Sequence, residues 1–185
     1  MTSDSQTSLD RFIDSLRKTS VLRMESICQR NGLSLDDQFE VRRVKDHWMA
    51  QTLVSGPDLR IIFSIYFNAH DLKIWASQIF SGSPNDIRLT QVHDVAKEFC
   101  NLMAGYMKTI LDENGVRVGL SLPFLSRGFA QIFSPFQNRT GVYDKVWRIK
   151  ADESFVTCSI SMEIFKNFSF ENNDSTSESG EIEFF

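Results

Sequence analysis

The sequence predicts an α+β domain, with an antiparallel or mixed β-sheet and helices packed on one face. Three observations carry that prediction. Apolar residues recur at three- and four-residue spacing near the N-terminus and again over residues 90–113, as amphipathic helices require. Short runs rich in Ile, Val and Phe occur at residues 59–66, 142–149 and 155–165 and are strand-sized. Gly, Pro and Asn-Gly punctuation separates these stretches, in the order helix, two strands, short helix, long helix, several strands.

The first seven residues are polar and predict a disordered N-terminus, followed by a single domain over residues 8–168. From Ser8 a helix is expected, with Ser8 or Asp10 as its cap. Leu9, Phe12, Ile13, Leu16, Val21, Met24 and Ile27 form its apolar stripe, and Asn31-Gly32 is its stop. Residues 39–54 read as extended, on Phe39, Val41, Val44, Trp48, Met49, Leu53 and Val54. Gly56-Pro57-Asp58 then turns the chain into Leu59–Tyr66, giving a hairpin. The near-continuous apolar run of that second strand predicts burial on both faces.

Asn68 or His70 opens a short helix over Asp71–Phe80, ended by Gly82-Ser83-Pro84. Residues 90–113 carry the strongest helical pattern, on Val92, Val95, Phe99, Leu102, Met103, Tyr106 and Ile110. Thr90 is the candidate cap, and Asn114-Gly115 the stop. Strands are expected at Val116–Leu122, Phe129–Phe133, Val142–Ile149 and Phe155–Phe165. Residues 169–185 are rich in Ser, Asn and acids and predict a disordered acidic tail. Phe184-Phe185 within it is either incidental or a small docking motif.

Composition narrows the function. The chain has 185 residues, 42% hydrophobic and 24% charged, so it has enough apolar material for one core without disulfides. A net charge of −4 argues against a strongly basic nucleic-acid surface. No apolar run approaches the roughly 20 residues of a membrane helix. The opening MTSDSQTSLDRF does not read as a secretory signal, so a cytoplasmic protein is expected. Cys28, Cys100 and Cys158 are odd in number and lack a CxxC, and are expected to be reduced core thiols. His47, His70 and His93 have no i, i+3 or i, i+4 spacing and no completing Cys or carboxylate cluster, so no metal site is expected. No Walker loop, GxGxxG or GxSxG occurs.

The long helix holds the informative pattern. Asp94, Glu98, Asn101 and Gly105 are offset by four, three and four residues, so all four lie on one stripe beside the apolar face. Relative to Ala, Asn costs about 0.6 kcal/mol and Gly about 1 kcal/mol in a helix interior. A small residue beside an amide suggests close approach by another surface. On the residues alone the stripe is either a functional surface or a solvated helix face, and it names no reaction.

The stretch Asp94-Val-Ala-Lys-Glu98-Phe-Cys-Asn101-Leu-Met-Ala-Gly105 resembles the signature of the CheC/CheX/FliY chemotaxis phosphatases. That signature is Asp or Ser, three residues, Glu, two residues, Asn, about twenty-two residues, then Pro. Here Pro123 follows Asn101 after twenty-one intervening residues. The segment from Leu59 through the short helix to Ser81-Gly82 resembles the family's strand, helix, Gly segment. The match covers roughly residues 55–125. CheC-like members carry a second Glu-x-x-Asn in the first helix, where this chain has Glu25-Ser-Ile-Cys28. The details therefore favour the CheX branch and one site per chain.

The resemblance implies a CheC/CheX-like fold and an aspartyl-phosphate phosphatase acting on a phosphorylated CheY-like response regulator. It implies that Asn101 orients the attacking water and that Glu98 docks to a lysine of the regulator. Asp94 and Gly105 would be partner-binding. No cofactor is expected in this chain, since the regulator would carry the Mg²⁺, and a homodimer is expected. No nucleic acid or membrane partner is implied. The alternative is a non-catalytic adaptor of the same fold that binds a response regulator or a flagellar switch component. A third reading is a structural domain that self-associates through an exposed strand edge, which can coexist with the phosphatase.

Overall fold

The computed structural model describes residues 3–36, 38, 48–127 and 142–166. Among them are three helices, α1 (Ser3–Cys28), α2 (Ala69–Ala76) and α3 (Leu89–Glu113). The strands are β1 (Ser34–Asp36), β2 (Trp48–Ser55), β3 (Leu59–Phe67), β4 (Gly119–Leu120), β5 (Phe124–Arg127), β6 (Val142–Ala151) and β7 (Ser154–Ile164). They form one sheet in the order β1-β6-β7-β3-β2-β4, with β5 also on β2, and every pairing is antiparallel.

Alternation along the strands decides which face is covered. Ala50, Thr52 and Val54 of β2 stand opposite Ile65, Phe63 and Ile61 of β3, and all six are buried. The same face continues through Val156, Cys158, Ile160 and Met162 of β7 to Trp147 and Ile149 of β6. Helices cover it: α3 lies on β2 and β3, α1 on α3 and β6, and α2 on β7 and α3. Phe63 is central, with ring centroids 5.9 Å from Phe99 of α3 and 6.1 Å from Trp147 of β6. On the other face of β3, Ser64 and Tyr66 are also buried, as its apolar run predicts.

Two buried tryptophans tie helices to the sheet through a single N–H each. Trp147 Nε1 donates to Ser20 Oγ of α1 at 2.9 Å, and Ser20 Oγ donates on to Arg17 O. Trp75 Nε1 of α2 donates to Ser154 Oγ at 2.7 Å, which donates to Ala151 O. The thiols of Cys28, Cys100 and Cys158 are free and buried. Burial pushes Cys28 up to about 12 and raises the other two as well, so none is a ready nucleophile.

Several boundaries differ from the sequence expectation. α1 begins at Ser3, ahead of Ser8, so part of the stretch expected to be disordered is helical. α2 runs from Ala69 only to Ala76, capped by Asn68, whose Oδ1 accepts from His70 N at 2.9 Å. The N-cap of α3 is Arg88, not Thr90, and Arg88 N donates to Gln91 Oε1 at 2.9 Å. An N3 glutamine can satisfy the helix start without a hydroxyl at the cap. Gly32 and Gly115 take φ of +87° and +73° after α1 and α3, as helix stops. Of Val116–Leu122 only Gly119 and Leu120 pair as strand. The extended residues expected at 39–47, the strand at Phe129–Phe133 and the tail at 169–185 lie outside the described residues.

Candidate functional site

The apolar face of α3 fixes where its polar stripe points. Val92, Val95, Ala96, Phe99, Cys100, Met103, Ala104, Met107 and Leu111 are buried. Asp94, Glu98 and Asn101 are exposed, and Gly105 is half-buried. The four therefore form one outward ridge along a helix whose other side is anchored in the core. A carboxamide on such a helix has little backbone freedom, as catalytic positioning requires.

The side chains on the ridge are not equivalent. Asp94 Oδ1 is paired with Lys97 Nζ at 2.8 Å, one turn on. Lys108 is likewise paired with Asp112. Among the described residues, Glu98 and Asn101 have only each other: Asn101 Nδ2 donates to Glu98 Oε2 at 3.5 Å, the outer limit of a hydrogen bond. That contact is too long to hold either group firmly, and both side chains are exposed. Among the described residues, Glu98 is thus the ridge carboxylate with no salt-bridged cation. Both atoms remain available to a water or to an incoming partner.

Gly105 sits one turn further along. A Cβ built there would meet nothing within 4 Å. Its lack of a side chain is not explained by packing within the chain. Asp94 shares the ridge with Glu98 and Asn101, but its charge is already spent on Lys97. The Asp94–Lys97 spacing of three residues was visible in the sequence and marks an intrahelical pair.

The region corresponding to a second Glu-x-x-Asn offers no site. Cys28 is buried, and Glu25 Oε1 accepts from Leu33 N at 2.9 Å, closing the turn after α1.

Two features beside the ridge escaped the sequence. His93 of α3 stacks on Trp48 of β2, with ring centroids 4.3 Å apart, and the Arg127 guanidinium lies 5.3 Å from the Trp48 ring. His93 Nε2 is buried without a hydrogen-bond partner. Burial, then the neighbouring Lys97, holds His93 below its ordinary value, and Asp94 offsets part of that. The second feature is a β-bulge around Pro123. β2 pairs Val54 with Leu120 and Gln51 with Phe124, so Ser121, Leu122 and Pro123 stand opposite only Thr52 and Leu53. Ser121 holds the bulge, with its N–H donating to Leu53 O at 2.8 Å and its Oγ accepting from Leu53 N at 2.9 Å. Pro123, the distal residue of the motif, lies in this bulge.

Among the described residues no three His, Cys, Asp or Glu side chains gather as a metal set. Nor is any helix there long and apolar enough to cross a membrane.

No protein-family model matches the chain, and no curated protein matches it by sequence. Solved structures do match in fold. The chemotaxis protein CheX from Vibrio vulnificus superposes with a TM-score of 0.66 at 15% identity, covering 83% of this chain and 99% of its own. A CheC-like protein from Shewanella oneidensis gives 0.61 at 16%, covering 84% and 97%. The CheX-CheY-BeF3-Mg complex from Borrelia burgdorferi gives 0.61 at 10%, covering 82% and 97%. The fold is therefore that of the CheX and CheC-like chemotaxis proteins, as the α3 motif implied. At these identities the likeness defines architecture, and what the ridge does rests on its own geometry.

Proposed function

We propose that this chain is a phosphatase of CheX type that removes phosphate from the aspartate of a CheY-like response regulator. The observation that supports it most is the Glu98/Asn101 pair, exposed on a core-anchored helix and, among the described residues, bonded only to each other. The solved complex of a CheX protein with CheY is consistent with this partner class.

The chemistry suits a carboxamide. Hydrolysis adds water to phosphorus as the bond to the aspartyl oxygen breaks. The products are the aspartate carboxylate and inorganic phosphate, and the water proton leaves with phosphate or solvent. Such a loose transition state asks for in-line placement of the water more than for a strong base. The exposed Asn101 carboxamide oxygen accepts from that water and fixes its line of attack. Glu98 meets a cation beside the regulator's phosphoryl group and sets the register, in a contact strengthened by its charge and partial desolvation. The regulator supplies the phosphoryl group and its Mg²⁺. Asp94 stays with Lys97 at the margin, and Gly105 leaves room for the partner's backbone.

The test is phosphate release from phosphorylated CheY-type receiver domains of the same genome, with and without the full chain. Wild type is expected to accelerate release from at least one. Asn101→Ala is expected to abolish most of the acceleration while binding persists, each tenfold loss amounting to about 1.4 kcal/mol of barrier. Glu98→Ala is expected to lose mainly affinity. Wild-type rates in both variants would remove the assignment. Binding of a receiver by wild type without any release would give the adaptor reading instead.

A further inference from the structure

We infer that the bulge between β4 and β5 is a second contact for the partner that docks on the ridge, with Leu122 as its apolar knob. This rests on the proposed docking at Glu98 and Asn101 and extends it to a surface the helix motif does not include.

Exposed large apolar side chains are unevenly placed. Leu120, Leu122 and Phe124 are 43%, 88% and 51% exposed, so three of the seven such residues described fall within five positions. Isolated exposed apolar residues are ordinary, but a cluster marks an interaction surface. β4 and β5 both touch α3, and the bulge lies opposite Thr52 and Leu53 of β2, the strand on which α3 packs. Leu120 and the bulge that carries Leu122 therefore lie beside the helix that carries the ridge, while Phe124 stands on the far face of the sheet.

Register says how the cluster is presented. Leu120 pairs with Val54 and shares its helix-side face, whereas Phe124 pairs with Gln51 and faces the other way. The extra residue of the bulge produces that switch and leaves Leu122 protruding from the sheet edge. A second copy adding a strand here would meet the bulge and Pro123, which has no N–H to donate. The edge is shaped for side-chain insertion rather than strand addition. Among the described residues, the ridge on that helix offers a single uncompensated carboxylate, because Lys97 and Lys108 already neutralise Asp94 and Asp112. The occupant that fits both features is a protein presenting one cation beside an apolar hollow, here the regulator's receiver domain.

The test titrates the full chain with the receiver domain it dephosphorylates, loaded with beryllium trifluoride and Mg²⁺, against Leu122→Ser, Leu122→Met and Glu98→Ala. Leu122→Ser is expected to weaken binding about tenfold, with Leu122→Met restoring it. Melting temperature and solution mass should stay those of wild type, since Leu122 is 88% exposed. Unchanged affinity in Leu122→Ser beside a weakened Glu98→Ala overturns this inference and leaves the phosphatase proposal standing. Unchanged affinity in both removes the docking site as well. A fall in mass from dimer to monomer in Leu122→Ser also overturns it, because the knob would then join two copies of this chain.

Discussion

Gly105 separates the needs of the free protein from those of a complex. Glycine at mid-helix leaves the folded chain about 1 kcal/mol less stable than alanine would. Nothing in the chain occupies the space a methyl group would take. Gly105→Ala is therefore expected to raise stability by about 1 kcal/mol in urea unfolding, with an unchanged m-value. In the same variant, receiver-domain affinity is expected to fall, because the added methyl stands where the partner's surface comes closest. A variant that is both more stable and equally tight would assign the glycine to no docking role. Asn101 also carries a helix penalty, and its side chain is exposed.

At the scale of elements, α3 is held over the sheet by its first turns as well as its core face. His93 stacks on Trp48, and the groups around it are Asp94 and Lys97 on its own helix and Arg127 on β5, which faces the same indole. Burial and Lys97 lower its affinity for a proton in the folded protein below the ordinary 6.5. The unfolded chain then binds that proton at higher pH than the folded chain does, so acidification favours unfolding. The contribution is intact above about pH 6.5 and is lost as pH falls from there through the folded value. His93→Phe keeps an aromatic ring on Trp48 and cannot titrate. The wild-type melting temperature, relative to that of His93→Phe, is expected to drop between pH 7 and 5.5. Parallel curves would mean that His93 does not carry this slope.

The same scale shows what the sequence made legible. α3 was readable almost to the residue, because its apolar period and its Asn-Gly stop agree, and offsets of four and three fix which side chains share the ridge. β3, β6 and β7 were readable from β-branched and aromatic runs long enough to cross the sheet. β1 and β5 were not, since three or four residues have no period of their own and become strands by pairing with β6 and β2. The bulge at Ser121–Pro123 was invisible for the same reason: it is a mismatch between two strands and belongs to neither sequence alone. The Asp94–Lys97 pair was present as a spacing, but only coordinates show that it leaves Glu98 as the unpaired carboxylate.

For the molecule as a whole, the question is whether the ridge depends on every anchor beneath it. α1 reaches the sheet through the Ser20 hydroxyl, which accepts the Trp147 N–H while both side chains are buried. Ser20→Ala leaves that N–H without a partner, at a cost of about 1–3 kcal/mol. For a chain of this size the melting temperature falls by about 2–4 °C per kcal/mol. α3 keeps its own hold on β2 and β3 through the Phe99–Phe63 and tilted His93–Trp48 ring contacts, both remote from Ser20 in sequence and carried by other elements. Ser20→Ala is therefore expected to melt earlier and yet, at 25 °C, to release phosphate from the receiver domain at the wild-type rate. If rate and melting temperature fall together, α1 does more than add stability: through its contact with α3, which includes the Ser15 Oγ–Tyr106 Oη hydrogen bond of 2.6 Å, it sets where the ridge stands. Paired measurements on the one variant thus distinguish a platform assembled from separable supports from one whose ridge-bearing helix is positioned by the entire core.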